Sequence, residues 1–337
     1  MGDRKMDCIL GIDQGASGTR ALLADTAGRI LSCGAAGGGH QSVSGLPEAL
    51  EEIRKAAEQA IRAAGEDAEL KAVGAGIAGC DFPCEYEMLR GKLEDIFHTP
   101  ARVVNDCMAA LRAESSAGGS AVICVGSGLN IGLKAKDGRK FCLGYYIDDA
   151  FQGGESIARQ ALRRVYEADL GIAPATALTG RILRHFGKQS VEQLMEWLII
   201  GEGKSVQADL KYLAPVVDEC ALEGDPAAAE ILAEFGRACS RYAAGGMARL
   251  GMLEDDVTFY LSGGIFKFRS SVLKDTVTAG LLEANRRTVV RDAVYEPVVG
   301  AALIGLETFA GGALPEQAAK QLHENAGTIG LVRQNGN

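Results

Sequence analysis

The hydrophobic pattern opens with three short runs. Cys8 to Ile12 is apolar, and a turn of glycine and small polar residues, Asp13 to Thr19, follows it. An alternating run then leads to a second turn at Asp25 to Gly28, and a third run covers Arg29 to Cys33. Alternation punctuated by Gly and Asp predicts a strand meander. Leu46 to Ala64 instead repeats apolar residues every three or four positions (Leu50, Ile53, Ala57, Ala60, Ile61) behind a Pro near the first turn, the pattern of an amphipathic helix. A strand over Ala72 to Ile77, a helix from about Cys84 to Ile96, a strand over Ala101 to Val104 and a helix opening at Asn105 or Asp106 complete this first series.

The opening pattern returns at SAVICVGSGLNIGLKAKDGRKFCLG, where an apolar run again meets a glycine-rich turn, an alternating run, a turn at Asp137-Gly138 and a third run. Such an echo predicts a duplicated lobe whose two glycine-rich turns face each other across a cleft. Helical patterns then dominate the chain at Glu155 to Leu170, Pro174 to Phe186, Val191 to Ile199 and Pro226 to Leu250. A strand over Val257 to Leu261 then runs into Gly263-Gly264 and a further helix. The expected class is α/β, with sheets of mixed direction under helical cover. ESSAGGS at Glu114 to Gly119 breaks the pattern, so the expected division is a lobe over 1–115, a second lobe with helical insertions over 116–312, and a tail over 313–337 that begins as a polar helix and ends loose.

Composition narrows the function classes. A chain of 337 residues is long enough for two cores. Its net charge of −9 argues against a broad surface for nucleic acid or anionic membrane, so anionic ligands must be held by local features. No apolar run has the length of a membrane span, and Met1 to Cys8 lacks the apolar stretch of a signal peptide, so a cytoplasmic location is expected. The nine cysteines, an odd number scattered through apolar runs, read as reduced thiols. Cys80 and Cys84 stand four apart, but no second close pair of Cys or His completes a metal ligand set.

The chemistry concentrates in the turns. In Asp13-Gln14-Gly15-Ala16-Ser17-Gly18-Thr19, small residues let backbone N–H groups converge on a phosphate, and Asp13 is placed to hold Mg2+ through water. Gly126-Ser127-Gly128-Leu129-Asn130 repeats the device. At Ser262-Gly263-Gly264 the backbone can approach a flat ring at the end of a strand, although strand-to-helix packing alone also accounts for glycines there. Asp106, after Asn105, would cap its helix in any case. Between two phosphate turns it is also placed as a general base for a hydroxyl attacking a γ-phosphate. His98 and His185 read as surface or capping residues, and Lys267 as a solvated lysine as readily as a nucleotide contact.

The order of the three glycine-rich segments, NDCMAAL ahead of the second, and EPVVGAALIGL near the end together resemble the BadF/BadG/BcrA/BcrD-type ATPase family, whose relatives include N-acetylglucosamine kinases. The resemblance extends over roughly Ile9 to Phe309. It implies a two-lobed actin-like ATPase (ribonuclease H-like) fold with duplicated βββαβα lobes around a central cleft. It also implies ATP and Mg2+ as cofactors, a sugar or amino sugar as acceptor, and a homodimer. By resemblance, Asp13, Gly15, Ser17, Gly18 and Thr19 form the first phosphate loop, Gly126, Ser127 and Gly128 the second, and Gly263 and Gly264 the adenosine site. Asp106 becomes the base, with Asn105, Gly79 and Asp81 along the substrate side of the cleft.

Two departures from the family pattern bear on the acceptor. The stretch after the third strand, GGGHQSVSG, lacks the kinases' sugar-holding Asn and offers His40, Gln41 and Ser44 instead. LGYYIDDAFQGGESI stands where the kinases carry glycine-tryptophan-glycine and then Gly-Asp-Glu-Gly-Ser, so either Asp148 or Asp149 takes the place of the sugar-binding Asp. The leading expectation is ATP-dependent phosphorylation of a sugar hydroxyl, with an amino sugar such as N-acetylglucosamine foremost. The alternatives are an ATPase that activates a partner reductase or dehydratase, and a sensor that binds nucleotide or sugar without turnover.

Overall fold

A computed structural model describes residues 5–65, 67–200, 210, 212–312 and 314–332. The chain forms two five-stranded sheets. The first is built from β1 (Met6–Gly15), β2 (Gly18–Asp25), β3 (Ile30–Ala36), β4 (Ala68–Ile77) and β5 (Ala101–Asn105), in the order β3-β2-β1-β4-β5. The second comprises β6 (Ser120–Val125), β7 (Leu129–Lys134), β8 (Lys140–Cys142), β9 (Val257–Ser262) and β10 (Thr288–Asp292), in the order β10-β9-β6-β7-β8. Read from the other edge, that second order is β8-β7-β6-β9-β10, which matches the first strand for strand. The senses match too: in each sheet the meander pairs are antiparallel and the two later strands are parallel. The echo in the sequence is thus a duplication of topology.

Between the strands of the first sheet run α1 (Leu46–Ala64) and α2 (Pro83–Phe97), followed by α3 (Asp106–Glu114). α1 turns Ile53, Ala56, Ala57 and Ala60 inward onto Leu10 and Ile12 of β1, as its period predicts. The second lobe carries a large helical insertion between β8 and β9: α4 (Gly154–Asp169), α5 (Ala177–His185), α6 (Val191–Ile199), α7 (Ala214–Leu222) and α8 (Pro226–Leu250). α9 (Val272–Ala284) precedes β10, and α10 (Pro297–Phe309) and α11 (Glu316–Thr328) follow it. Neither α7 nor β10 is evident in the hydrophobic pattern. β10 is a short edge strand with most of its side chains exposed, which removes the apolar alternation that would mark it. After Gly263-Gly264 a short 3-10 turn, Gly264–Lys267, intervenes before α9.

The last helices do not pack where their place in the sequence suggests. α10 and α11 lie on the first sheet: Val298, Val299, Ala302, Leu303, Leu322 and Ala326 pack around Ile9, Leu22 and Ala72. α3 lies between the two sheets: Cys107, Met108, Ala110 and Leu111 pack onto Val122 of the second, while Ala109 lies against Gly76 of the first and Ala113 joins the cluster around Ile9 and Ala72. α10, although it follows the last strand of the second sheet, therefore packs on the first. The expected tail is largely α11, and residues 333–337 lie outside the described residues. α3 and α10 cross each other between the lobes at close range, because Gly300 lets the backbones touch: a Cβ there would stand 1.9 Å from the Ala109 carbonyl oxygen. Glu307 of α10 ties the crossing, accepting from Arg112 Nε at 2.7 Å and Arg102 Nη1 at 3.1 Å.

Candidate active site

The two lobes enclose a cleft of about 460 Å³, and the glycine-rich turns form its facing walls. From the first lobe come Asp13, Gly15, Ser17 and Gly18 of the β1–β2 hairpin; from the second come Gly126, Ser127 and Gly128 of the β6–β7 hairpin. Because β1 and β6 are corresponding central strands, the duplication itself brings these hairpins together. Ser17 Oγ and Ser127 Oγ meet at 2.6 Å across the cleft. The second hairpin is braced from behind, where Gly154 N donates to Gly126 O at 2.9 Å at the start of α4.

Thr19 departs from its expected role. It is buried inside the first lobe, donates its hydroxyl to Gly37 O at 2.8 Å and accepts from Gln14 Nε2 at 3.2 Å, so it does not line the cleft. Its register opposite Gln14 in the hairpin turns the side chain inward. Thr19→Val should therefore cost about 1–3 kcal/mol of stability by removing two hydrogen bonds at about 0.5–1.5 kcal/mol each, while nucleotide affinity stays unchanged. Urea unfolding and nucleotide titration of the same preparation would check both.

Gly263 lines the cleft with Ser262 at the end of β9. Its φ of 105° and a Cβ position only 2.1 Å from the Val125 carbonyl oxygen admit no side chain. Gly264 starts the 3-10 turn and is not part of the cleft wall.

At the floor stands Asp106, the first residue of α3, partly accessible to the cleft. Desolvation, opposed by the Cys107 backbone N–H donating to Oδ1 at 2.9 Å and reinforced by the Asp81 charge, pushes its carboxyl up to about 6. Helix capping falls to its neighbour instead: the buried Asn105 accepts from Cys107 N through Oδ1 at 2.9 Å. Asn105 Nδ2 donates to Asp81 Oδ1 at 2.7 Å and to Cys80 O at 3.1 Å, and its Oδ1 also accepts from Asn130 Nδ2 at 3.1 Å. Asp81, Asn105 and Asn130 thus form a polar chain from the loop after β4 through the end of β5 to β7, spanning both lobes. Burial also raises the Asp81 carboxyl, which the Asn130 hydrogen bond opposes.

Along the same side, His40 packs its ring over Gly79, and both line the cleft. Ser44 does not; its hydroxyl closes a local turn by bonding the His40 backbone at 3.2 Å. Gln41 donates to Gly79 O at 2.9 Å and to Glu85 Oε1 at 3.0 Å, which braces the loop from outside. Of the two candidate aspartates, Asp149 lines the cleft, whereas Asp148 caps the following 3-10 turn by accepting from Ala150 N at 2.8 Å. Tyr145, Gln152 and Pro297 also line the cleft, and sequence patterns alone did not single them out. Tyr145 stacks on Phe82 of the other lobe, centroids 5.5 Å apart and planes 8° from parallel, at the mouth beside Asp81. Their signal was the replacement of the kinases' tryptophan segment by Gly-Tyr-Tyr.

His98 ends α2 in the left-handed conformation and His185 closes α5, both outside the cleft. Lys267, about half exposed, approaches Glu296 at 4.0 Å. Among the described residues no group of three or more His, Cys, Asp or Glu is arranged to hold a metal ion. Asp13 and Asp106 nevertheless place hard carboxylate oxygens on the same cleft, which suits Mg2+, an ion that keeps most of its waters and is held largely by its phosphates.

Two matched five-stranded sheets, crossing helices between them and facing glycine-rich hairpins define a two-lobed actin-like ATPase fold. The chain belongs to the BadF/BadG/BcrA/BcrD ATPase family, whose model matches residues 10–305. No curated protein matches it. Solved structures share the fold at low identity. A protein from Chromobacterium violaceum, provisionally named an N-acetylglucosamine kinase, is 20% identical with a TM-score of 0.66, over 90% of this chain and 99% of that one. One from Porphyromonas gingivalis with the same provisional name is 18% identical with a TM-score of 0.63, over 90% and 99%. A ROK family glucokinase from Streptomyces griseus, solved with glucose and AMPPNP, is 20% identical with a TM-score of 0.53, over 89% and 97%. No helix among the described residues is long and apolar enough to cross a membrane.

Proposed function

We propose that this protein is an ATP-dependent kinase that phosphorylates a hydroxyl of a small sugar, with an N-acetylated amino sugar as the foremost acceptor. The observation that carries the reading is the position of Asp106. Its carboxyl, raised to about 6, stands on the floor of the cleft that both glycine-rich hairpins wall, next to the Asp81–Asn105–Asn130 chain.

In this reading the backbone N–H groups of the two hairpins cradle the ATP phosphates, and Ser262-Gly263 offers a flat backbone surface to the purine. Bound Mg2+, held through water by Asp13, would neutralise charge that develops on the phosphates. Asp106 takes the proton of the acceptor hydroxyl as its oxygen attacks the γ-phosphorus and ADP leaves. Asp81, fixed by Asn105, orients a neighbouring hydroxyl, with His40 and Asp149 available to others. The stacked Phe82–Tyr145 pair supplies an apolar face of the kind that suits a pyranose ring or an acetamido methyl.

ADP release from Mg2+-ATP, measured across N-acetylglucosamine, N-acetylmannosamine, glucosamine and glucose, tests the proposal. Stimulation by an N-acetylated sugar above the others supports it in full, and stimulation by glucose alone moves the acceptor class. If no sugar stimulates release, the kinase reading falls. Iron in anaerobically purified protein would then favour the partner-activating ATPase, and its absence the non-catalytic sensor.

A further inference from the structure

The reaction leaves a pair of thiols unused directly behind its base. Cys107 Sγ lies 3.7 Å from Cys142 Sγ, a contact between α3 and β8 across a sequence separation of 35 residues. Two features bring them together. α3 lies on the face of the second sheet that carries Val122, Cys124 and Cys142. Gly132, paired directly opposite Cys142 in the β7–β8 ladder, leaves the opening: a Cβ there would stand 2.9 Å from Cys107 Sγ. Cys107 is fully buried, whereas Cys142 is half-buried and can be reached by a small oxidant.

We infer that Cys107 and Cys142 form an oxidative modification site, at which a peroxide-class oxidant joins them in a disulfide that locks the base-bearing end of α3 to β8. The steps balance. The Cys142 sulfur attacks one peroxide oxygen, the O–O bond breaks, and a sulfenic acid and water result. The Cys107 sulfur then displaces the hydroxyl of that sulfenic acid, forming the S–S bond and a second water. Two thiols are oxidised by two electrons in all, and the peroxide is reduced to two waters.

Bond formation needs the sulfurs to close from 3.7 Å to about 2.0 Å. β8 can yield, being a three-residue strand at the edge of its sheet. The movement also reaches the base, because Cys107 follows Asp106 in the chain and its N–H donates to both Asp106 Oδ1 and Asn105 Oδ1 at 2.9 Å. The oxidised form should therefore bind nucleotide and turn over poorly.

The experiment is a hydrogen peroxide titration of the reduced full-length protein, followed by thiol counting, peptide mapping and assay. Expected are a loss of about 2 Da for one intramolecular disulfide, assignment of that disulfide to Cys107–Cys142, and a fall in kcat on the order of 100-fold from displacement of a catalytic group. Dithiothreitol should restore the activity. Cys142→Ser should keep its turnover in peroxide and form no cross-link, and the double variant of the exposed thiols, Cys33→Ser with Cys84→Ser, should respond as the parent does. The inference is overturned if both thiols remain free in peroxide, if the cross-link maps elsewhere, or if it forms without changing the site. The thiol chemistry stands independently of the kinase reading; should no sugar be turned over, hydrogen exchange at residues 105–109 replaces kcat as the readout of a locked α3.

Discussion

Asp106→Asn should lower kcat/KM for the sugar by about 10²–10⁴-fold, the usual contribution of a positioned general base, while ATP still binds. The amide keeps the size of the side chain but cannot take a proton. In the parent protein, kcat/KM should fall as the pH drops through about 6, the value to which desolvation and the Asp81 charge push this carboxyl. The stability effect has the opposite direction. A carboxyl raised in the folded state favours folding fully below the ordinary carboxylate range, and that advantage is lost as the pH rises through about 6. At neutral pH the parent therefore buries a costly charge that the variant lacks, so Asp106→Asn should melt at a higher temperature while it is catalytically crippled. A pH–rate profile and parallel melting curves check both. A variant that loses activity and also melts lower at neutral pH would point to a structural Asp106.

Gly300→Ala should be strongly destabilising, and it touches no cleft residue. In an open helix the change would gain about 1 kcal/mol of helix propensity. Here the new Cβ would meet the Ala109 carbonyl oxygen at 1.9 Å and the Ala113 nitrogen at 2.7 Å, both backbone atoms that cannot swing aside. Overpacking of this kind costs about 3 kcal/mol and occasionally more, so the net loss should be about 2 kcal/mol or greater. Gly245→Ala, within α8 with no atom near the added Cβ, is the matched control and should stabilise. Urea midpoints of the three proteins decide. Because Ala109 sits one turn after Asp106 on α3, Gly300→Ala should also depress turnover.

The fold was legible where the chain repeats itself. Two strand meanders with glycine-rich turns announced the duplicated sheets, and helical spacing placed α1, α6 and α8 close to their final limits. The packing of α10 on the first sheet was not legible, because an Ala- and Gly-rich helix buried on most sides presents no single apolar stripe and so does not declare which sheet it will cover. In the site, the hairpin backbones and the Asn105-Asp106 step were visible as small residues and a polar pair at the ends of apolar strands. Thr19 was misplaced because turn membership says nothing about which side of the hairpin a side chain takes. Asn130 stood at the edge of the second turn, but its bond to Asn105 crosses 25 residues and belongs to the tertiary structure alone.

The packing of α10 on the first sheet also sets a timetable for synthesis. When the ribosome has made everything through α3, the first sheet has α1 and α2 on one face, but Ile9, Leu22 and Ala72 on the other still await Val298, Val299 and Leu303. At about 5–20 residues per second, that face stays bare for roughly 10 to 40 s. The N-terminal lobe of this protein therefore cannot mature first and wait for its partner; both lobes must finish together, and a chain stopped before α10 leaves an open hydrophobic sheet for chaperones to cover.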